Sequence, residues 1–108
     1  MEIKLNELQK EIGEWRESNF GPIHDRTAIQ QALGAGEELG EFYHAVLKKD
    51  QGIRNDQDHD AAAKDAIGDV VLFLMNYCNC EGWSFNDIIR ETADEVLKRE
   101  RKDQLSRS

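Results

Sequence analysis

Val70, Val71, Leu72, Phe73, Leu74 and Met75 are six consecutive apolar residues inside a segment, 61–80, with the composition of a helix. At 3.6 residues per turn, six consecutive side chains point in every direction, so this stretch has no polar face to turn toward water. A chain of 108 residues that carries such a helix must cover it on all sides. The remaining sequence offers three further helical segments, too few to do so completely. The economical solution is a second copy of the chain; the alternative is a monomer with a well-covered central helix. The expected fold is therefore all-α, a four-helix bundle completed by oligomerisation as a homodimer or homotetramer. The length accounts for one domain, 1–108. One proline and eight glycines leave little material for a turn-rich β architecture.

Periodicity places the other helices. Leu5, Leu8, Ile12 and Trp15 recur at spacings of three and four over 3–17, an amphipathic stripe that Phe20, Gly21 and Pro22 break. Thr27 is the expected N-cap of a second helix, which carries Ile29, Leu33, Leu39, Phe42, Val46 and Leu47 and ends near Lys49. The polar, aperiodic segment 50–60 reads as a loop that is mobile before ligand binds. The third helix starts near Ala61 and runs to Cys80, with Gly82 as its C-terminal cap. The fourth follows Ser84, whose hydroxyl and Asp87 three residues on form a near-capping box. It continues through Ile88, Ile89, Val96 and Leu97 into a charged tail.

Charge and cysteine usage exclude several function classes. Fourteen basic residues against 22 acidic ones give a net charge of −8, the wrong sign for a nucleic-acid grip. The same balance suits a protein that gathers carboxylates around divalent cations. Cys78 and Cys80 are two residues apart on a helix and lack the further ligands a zinc site requires. They are expected to be reduced, in a cytoplasmic protein. The first fifteen residues lack the apolar centre of a signal peptide. Six apolar residues are far too few to span a membrane.

Two acidic clusters carry the chemistry. In GAGEELGEF, Glu38 and Glu41 are three residues apart and Glu37 and Glu41 four. Such spacings bring side chains to within about 5–6 Å at Cβ on one side of a helix. In KDAIGDVVLF, Asp65 and Asp69 are four apart, directly before the apolar run. Like charges so arranged destabilise a helix unless a cation intervenes, and no basic residue lies one turn from Glu38 or Glu41. Glycines 34, 36, 40 and 68 flank the acids and are expected to let the two helices approach, so that the acid pairs face each other. Magnesium, with manganese as a substitute, takes such hard oxygen ligands and keeps sites for water and phosphate. Taken by itself, Glu-Glu-x-x-Glu is also what a solvated acidic helix face looks like.

Glu37-Glu38-Leu39-Gly40-Glu41, followed some two dozen residues later by Asp65, Ile67-Gly68-Asp69 and the apolar run, resembles the MazG-like all-α nucleoside triphosphate pyrophosphohydrolases. Their pattern is EExxE, a spacer, then ExxD. The likeness extends to Trp15, Phe20-Gly21, the segment from Leu47 to Arg54, and the closing EVLKRE. It implies a four-helix fold assembled from dimers or dimers of dimers. It also implies magnesium-dependent cleavage of nucleoside triphosphates between the α and β phosphates, yielding monophosphate and pyrophosphate. By position, Glu38, Glu41 and Asp69 match metal ligands and Glu37 an outer, water-positioning acid. The family's ExxD glutamate falls on Ala66. Asp65, which also lies on the Asp69 face, is the expected substitute ligand.

For the substrate, Lys98 and Arg99 are expected to hold the β and γ phosphates, with Arg101 and Lys102 in the same basic patch. Cations at a helix C-terminus also need no ligand to explain them. Arg54 and Lys64 flank the loop and are candidates to close over phosphates. Trp15 and Phe20 are candidates to stack on a nucleobase, and Phe73 and Tyr77 stand on the apolar helix. Asn76, seven residues after Asp69, is a polar group in a buried stretch and must have a partner, either a base or sugar or another helix. Glu41-x-x-His44 is a single such motif, where a ferritin-like di-iron centre needs two. His24 and His59 fall in loops, and no serine or cysteine has a matching base. Two rival readings are a phosphoribosyl-ATP pyrophosphohydrolase-like enzyme and a non-catalytic helical interaction module. The Ala66 departure would support the latter.

Overall fold

The computed structural model describes residues 2–99. They form four α-helices: α1 (Leu5–Phe20), α2 (Thr27–Gln51), α3 (His59–Glu81) and α4 (Phe85–Leu97). Among the described residues there is no strand, and no helix is long and apolar enough to cross a membrane. The most extensive contact is between α2 and α3, two long helices joined by a short loop. Helix α1 packs on α3, and α4 touches α1 and α3 but not α2.

Local chemistry sets the boundaries. Gly21 (φ 89°), Gly52 (φ 66°) and Gly82 (φ 73°) end the first three helices in backbone conformations with positive φ. Helix α1 continues to Phe20, three residues past its apolar stripe, because Gly21 is the residue that stops it. Thr27 is the first residue of α2 rather than its cap. Its buried hydroxyl accepts from the His24 N–H at 3.0 Å and so fastens the α1–α2 turn. Helix α3 starts at His59, two residues earlier than the periodicity suggests, because the Asp58 side chain accepts from the Ala61 N–H at 2.9 Å. Ser84 caps α4 as expected, accepting from the Asp87 N–H at 3.1 Å. His59 is thus helical, not in a loop.

The core is small. Met75, Cys78 and Phe85 form its buried centre, with Leu5, Leu8, Val71 and Leu72 partly buried around them. Burial raises the Cys78 and Cys80 thiols above the ordinary cysteine value, and both are free. Of the six-residue apolar run, only Met75 is fully covered; Leu74 is 39% exposed. On α2, Leu33 and Tyr43 are each more than 60% exposed. The three other helices of one chain do not cover this run of α3 completely.

A polar network fastens this core end of the bundle. Gln9, buried on α1, donates through Nε2 to the Trp83 carbonyl (2.8 Å) and to Asn79 Oδ1 (2.9 Å). Its Oε1 accepts from the Phe85 N–H at 2.8 Å, one of the unpaired donors at the start of α4. Asn79 returns a bond to the Gln9 carbonyl at 3.1 Å. Gly13 permits the contact, since a Cβ there would lie 2.6 Å from Asn79 Nδ2. Gly34 does the same for α2, where a Cβ would enter the Phe73 ring. Gly36, Gly40 and Gly68 meet nothing within 4 Å. The close approach of α2 and α3 therefore rests on Gly34, not on the four flanking glycines together.

Candidate functional site

One face of α3 organises two adjoining clefts. Ala62, Asp65, Ala66, Asp69, Leu72, Phe73 and Asn76 follow one another at steps of one and three, so they share a side of the helix. Its N-terminal half lines a cleft of about 300 Å³ with Glu38, Glu41, His44 and Ala45 of α2. Gln57, Asp58 and His59 close the loop end of this cleft. Its C-terminal half lines a pocket of about 520 Å³ with Ile12, Trp15, Arg16 and Phe20 of α1. His24, Gln30 and Gln31 border the same pocket. Asp69 lines both and is the junction between them.

The structure thus brings Glu38, Glu41, Asp65 and Asp69 to one cleft from two helices. Ala66, where a glutamate was missing by pattern, is buried in its wall, and Asp65 stands beside it. Glu37 is exposed and outside the lining, though its charge reaches Glu38. Partial withdrawal from water raises the Glu38 carboxyl above its usual range. The charges of Asp69, Glu41, Glu37 and Asp65 push it further the same way. Among the described residues no lysine or arginine ion-pairs with any of these five acids. The carboxylates are not closed on one point: among the described residues no three His, Cys, Asp or Glu side chains converge as a metal-ligand set. Oxygen-only donors without a neutralising cation suit a hard divalent ion. Gathering them on one ion requires side-chain rotation across the cleft.

The loop end is built from an ion pair and a strained residue. Lys49 pairs with Asp60 at 2.5 Å, and this bond and charge hold Asp60 below the usual carboxylate range. Arg54 has φ 54°, a left-handed conformation that costs a non-glycine residue roughly 1 kcal/mol. Its Nη1 lies 3.3 Å from Nε2 of His44, and His59 Nε2 lies 3.0 Å from the Ile53 carbonyl. Arg54 therefore stands at the cleft through His44 rather than lining it. Lys64 is exposed on α3.

The aromatic pocket brings together Trp15, Phe20, Phe73 and Asn76. Trp15 and Phe20 meet edge-to-face with ring centroids 6.0 Å apart, and both are more than half exposed. Tyr77 points elsewhere, onto Trp83. Lys98 and Arg99 line neither cleft. Lys98 caps α4, which has no contact with α2. Arg101 and Lys102 lie outside the described residues. Sequence reasoning missed Arg16, Gln30 and Gln31. For Arg16 a signal existed, because it follows Ile12 by four and so shares the inward face of α1. It is only 7% exposed and donates from Nη2 to the Gly21 carbonyl at 3.0 Å. Comparison with protein-family models, curated proteins and solved structures finds no match to this chain.

Proposed function

We propose that this protein is a magnesium-dependent pyrophosphohydrolase of nucleoside triphosphates, of the MazG-like kind, which yields the monophosphate and pyrophosphate. The observation that supports this reading most is the shared position of Asp69. It joins a cleft of unpaired carboxylates, suited to a metal-bound triphosphate, to an aromatic pocket of a size for a nucleobase. Glu38, Glu41, Asp65 and Asp69 would hold the magnesium or manganese. The bound ion supplies charge neutralisation on the phosphates and acidifies a water. Glu37, exposed and outside the cleft lining, would take the water-positioning role that the likeness to the family pattern implies. Trp15 and Phe20 stack on the base, and Arg54, carried beside the cleft by His44, is the nearest cation of the loop to meet the phosphate chain.

Exposed apolar side chains on α2 and α3, among them Leu33, Tyr43, Ile67 and Leu74, support a homodimer or homotetramer that covers α3 with a second copy. Free thiols fit a reducing compartment such as the cytoplasm. Ala66 and the unconverged carboxylates favour one second reading, a helical interaction module without turnover. The deciding experiment is product analysis on ribo- and deoxyribonucleoside triphosphates with magnesium, manganese or chelator. Metal-dependent release of pyrophosphate is expected. Orthophosphate as first product refutes the cleavage position, and no turnover of any triphosphate selects the interaction module. A compact 12.4 kDa species in sedimentation would remove the assembly.

A further inference from the structure

We propose that the aromatic pocket selects heteroaromatic bases by a carbonyl edge, through hydrogen-bond donors whose direction is fixed at the far end of the bundle. This rests on reading the pocket as the base end of the nucleotide site.

The side-chain amide of an Asn or Gln can be turned either way unless its partners dictate the orientation. Here backbone groups dictate it. The Phe85 N–H can only donate, so the Gln9 atom it meets at 2.8 Å is the oxygen. The Trp83 carbonyl can only accept, so the Gln9 atom at 2.8 Å from it is the nitrogen. That nitrogen also donates to Asn79 at 2.9 Å, which makes the receiving atom Oδ1. The Gln9 carbonyl independently requires Asn79 Nδ2 at 3.1 Å. The same Nδ2 donates to Asn76 at 3.3 Å, so the Asn76 atom on that side is Oδ1. Two backbone anchors and one carbonyl thus pass a single polarity from the start of α4, through Gln9 and Asn79, to Asn76.

The consequence falls in the pocket. Asn76 is 6% exposed and lines the pocket. With its oxygen held by Asn79, the group of this amide that has no partner is NH₂. No buried side-chain nitrogen or oxygen among the described residues is left without a partner, so this NH₂, which has none, retains contact with the open space. Arg16 is the second deeply buried polar residue of the wall, and a guanidinium is a donor only. The acceptors of the pocket stand at other, more exposed positions of its wall. Asp69 belongs also to the carboxylate cleft, while Gln30, Gln31 and His24 border the pocket less deeply. A base presenting a carbonyl oxygen to Asn76 and Arg16 gains bonds there. One presenting an amino group sets donor against donor and leaves buried groups unpaired.

The test uses two pairs of nucleosides that differ by a carbonyl exchanged for an amino group, inosine against adenosine and uridine against cytidine. Binding is measured by calorimetry on the whole chain without metal. The carbonyl member of each pair is expected to bind at least about tenfold more tightly. Asn76→Asp keeps an oxygen to accept from Asn79 and turns the other, now an acceptor, toward the pocket, so the preference should vanish or invert. Equal binding within the pairs, amino preference, no binding of any of the four, or an unchanged preference in Asn76→Asp each overturns the proposal. The wild-type comparison decides even if the variant does not fold. Because neither metal nor phosphate takes part, the outcome is separate from turnover. A carbonyl preference without triphosphate hydrolysis sinks only the hydrolase reading. Hydrolysis without the preference sinks only this one.

Discussion

The two ends of α3 solve opposite problems. At its C-terminal end, Asn79, Gln9, Trp83 and Phe85 satisfy one another, and Met75 beside them is fully buried. At its N-terminal end, the buried residues between α2 and α3 are alanines, Ala45 and Ala66, and the acids around them find no cation among the described residues. One end has satisfied its hydrogen bonds, and the other holds charge that no ion pair among the described residues offsets. Stability is thus concentrated away from the carboxylate cleft. The acid end is carried by the α2–α3 contact and by the anchored far end, which leaves its side chains available to bind.

The largest expected effect lies at the acid end. On the proposed reading, Asp69→Asn, Glu38→Gln and Glu41→Gln should each cut pyrophosphate release by at least about 100-fold, because each would remove a charged ligand of the proposed metal site. Asp65→Asn should fall between these and the parent, with a raised magnesium requirement, read from a kinetic titration with the metal. If Asp65→Asn equals the parent in both rate and requirement, Asp65 is only a surface acid, and α3 contributes Asp69 alone.

The other end is sharpened by Gln9→Ala. It strands the Phe85 N–H, the Trp83 carbonyl and the Asn79 amide in a buried place, where each unpaired group costs about 1–3 kcal/mol. A loss of roughly 3 kcal/mol in denaturant unfolding is expected, with the magnesium requirement of turnover unchanged. A loss below about 1 kcal/mol would mean that water replaces Gln9, and that the two ends differ less than their hydrogen bonds suggest.

The helices, the Ser84 cap, the Gly82 stop and the acid pairs were legible because each depends on residues within a turn or two of one another. Asp65 beside Asp69 follows from helical spacing alone, and the cleft contains both. Arg16, Gln30 and Gln31 were not legible as a group. They meet only because the α1–α2 turn, fastened by Thr27 and Gly21, folds α1 back over α3. Asn76 was half legible. Its place in a buried stretch demanded a partner, yet only the structure shows that this partner is Asn79, tied in turn to Gln9, 67 residues before Asn76 in the chain. Lys98 and Arg99, expected at the phosphates, stand at the end of a helix that does not contact α2 within one chain.

The smallest effect contrasts two carboxylates at the acid end whose shifts have opposite sign. Glu38 is raised above its ordinary value of 4.5 by partial withdrawal from water and by its acidic neighbours. The folded state therefore holds its proton more tightly than the unfolded chain does, and stability falls as pH rises from 4.5 through the raised value. Asp60 is lowered below 3.8 by its hydrogen bond to Lys49. Its contribution is complete above 3.8 and is lost as pH falls through the lowered value. In metal-free protein near neutral pH, Glu38→Gln should thus raise Tm slightly, and Asp60→Asn should lower it slightly, both groups being well hydrated. In acid below 4.5 the Glu38→Gln gain should vanish while the Asp60→Asn loss persists to lower pH. Magnesium should raise the Tm of the parent more than that of Glu38→Gln, because only the parent has the full set of charges to be offset. Thermal melts of the two variants across this range, with and without magnesium, read all of these signs. A Glu38→Gln variant less stable than the parent without metal would show that the acids are held by favourable contacts, and the contrast between the two ends of α3 would fail.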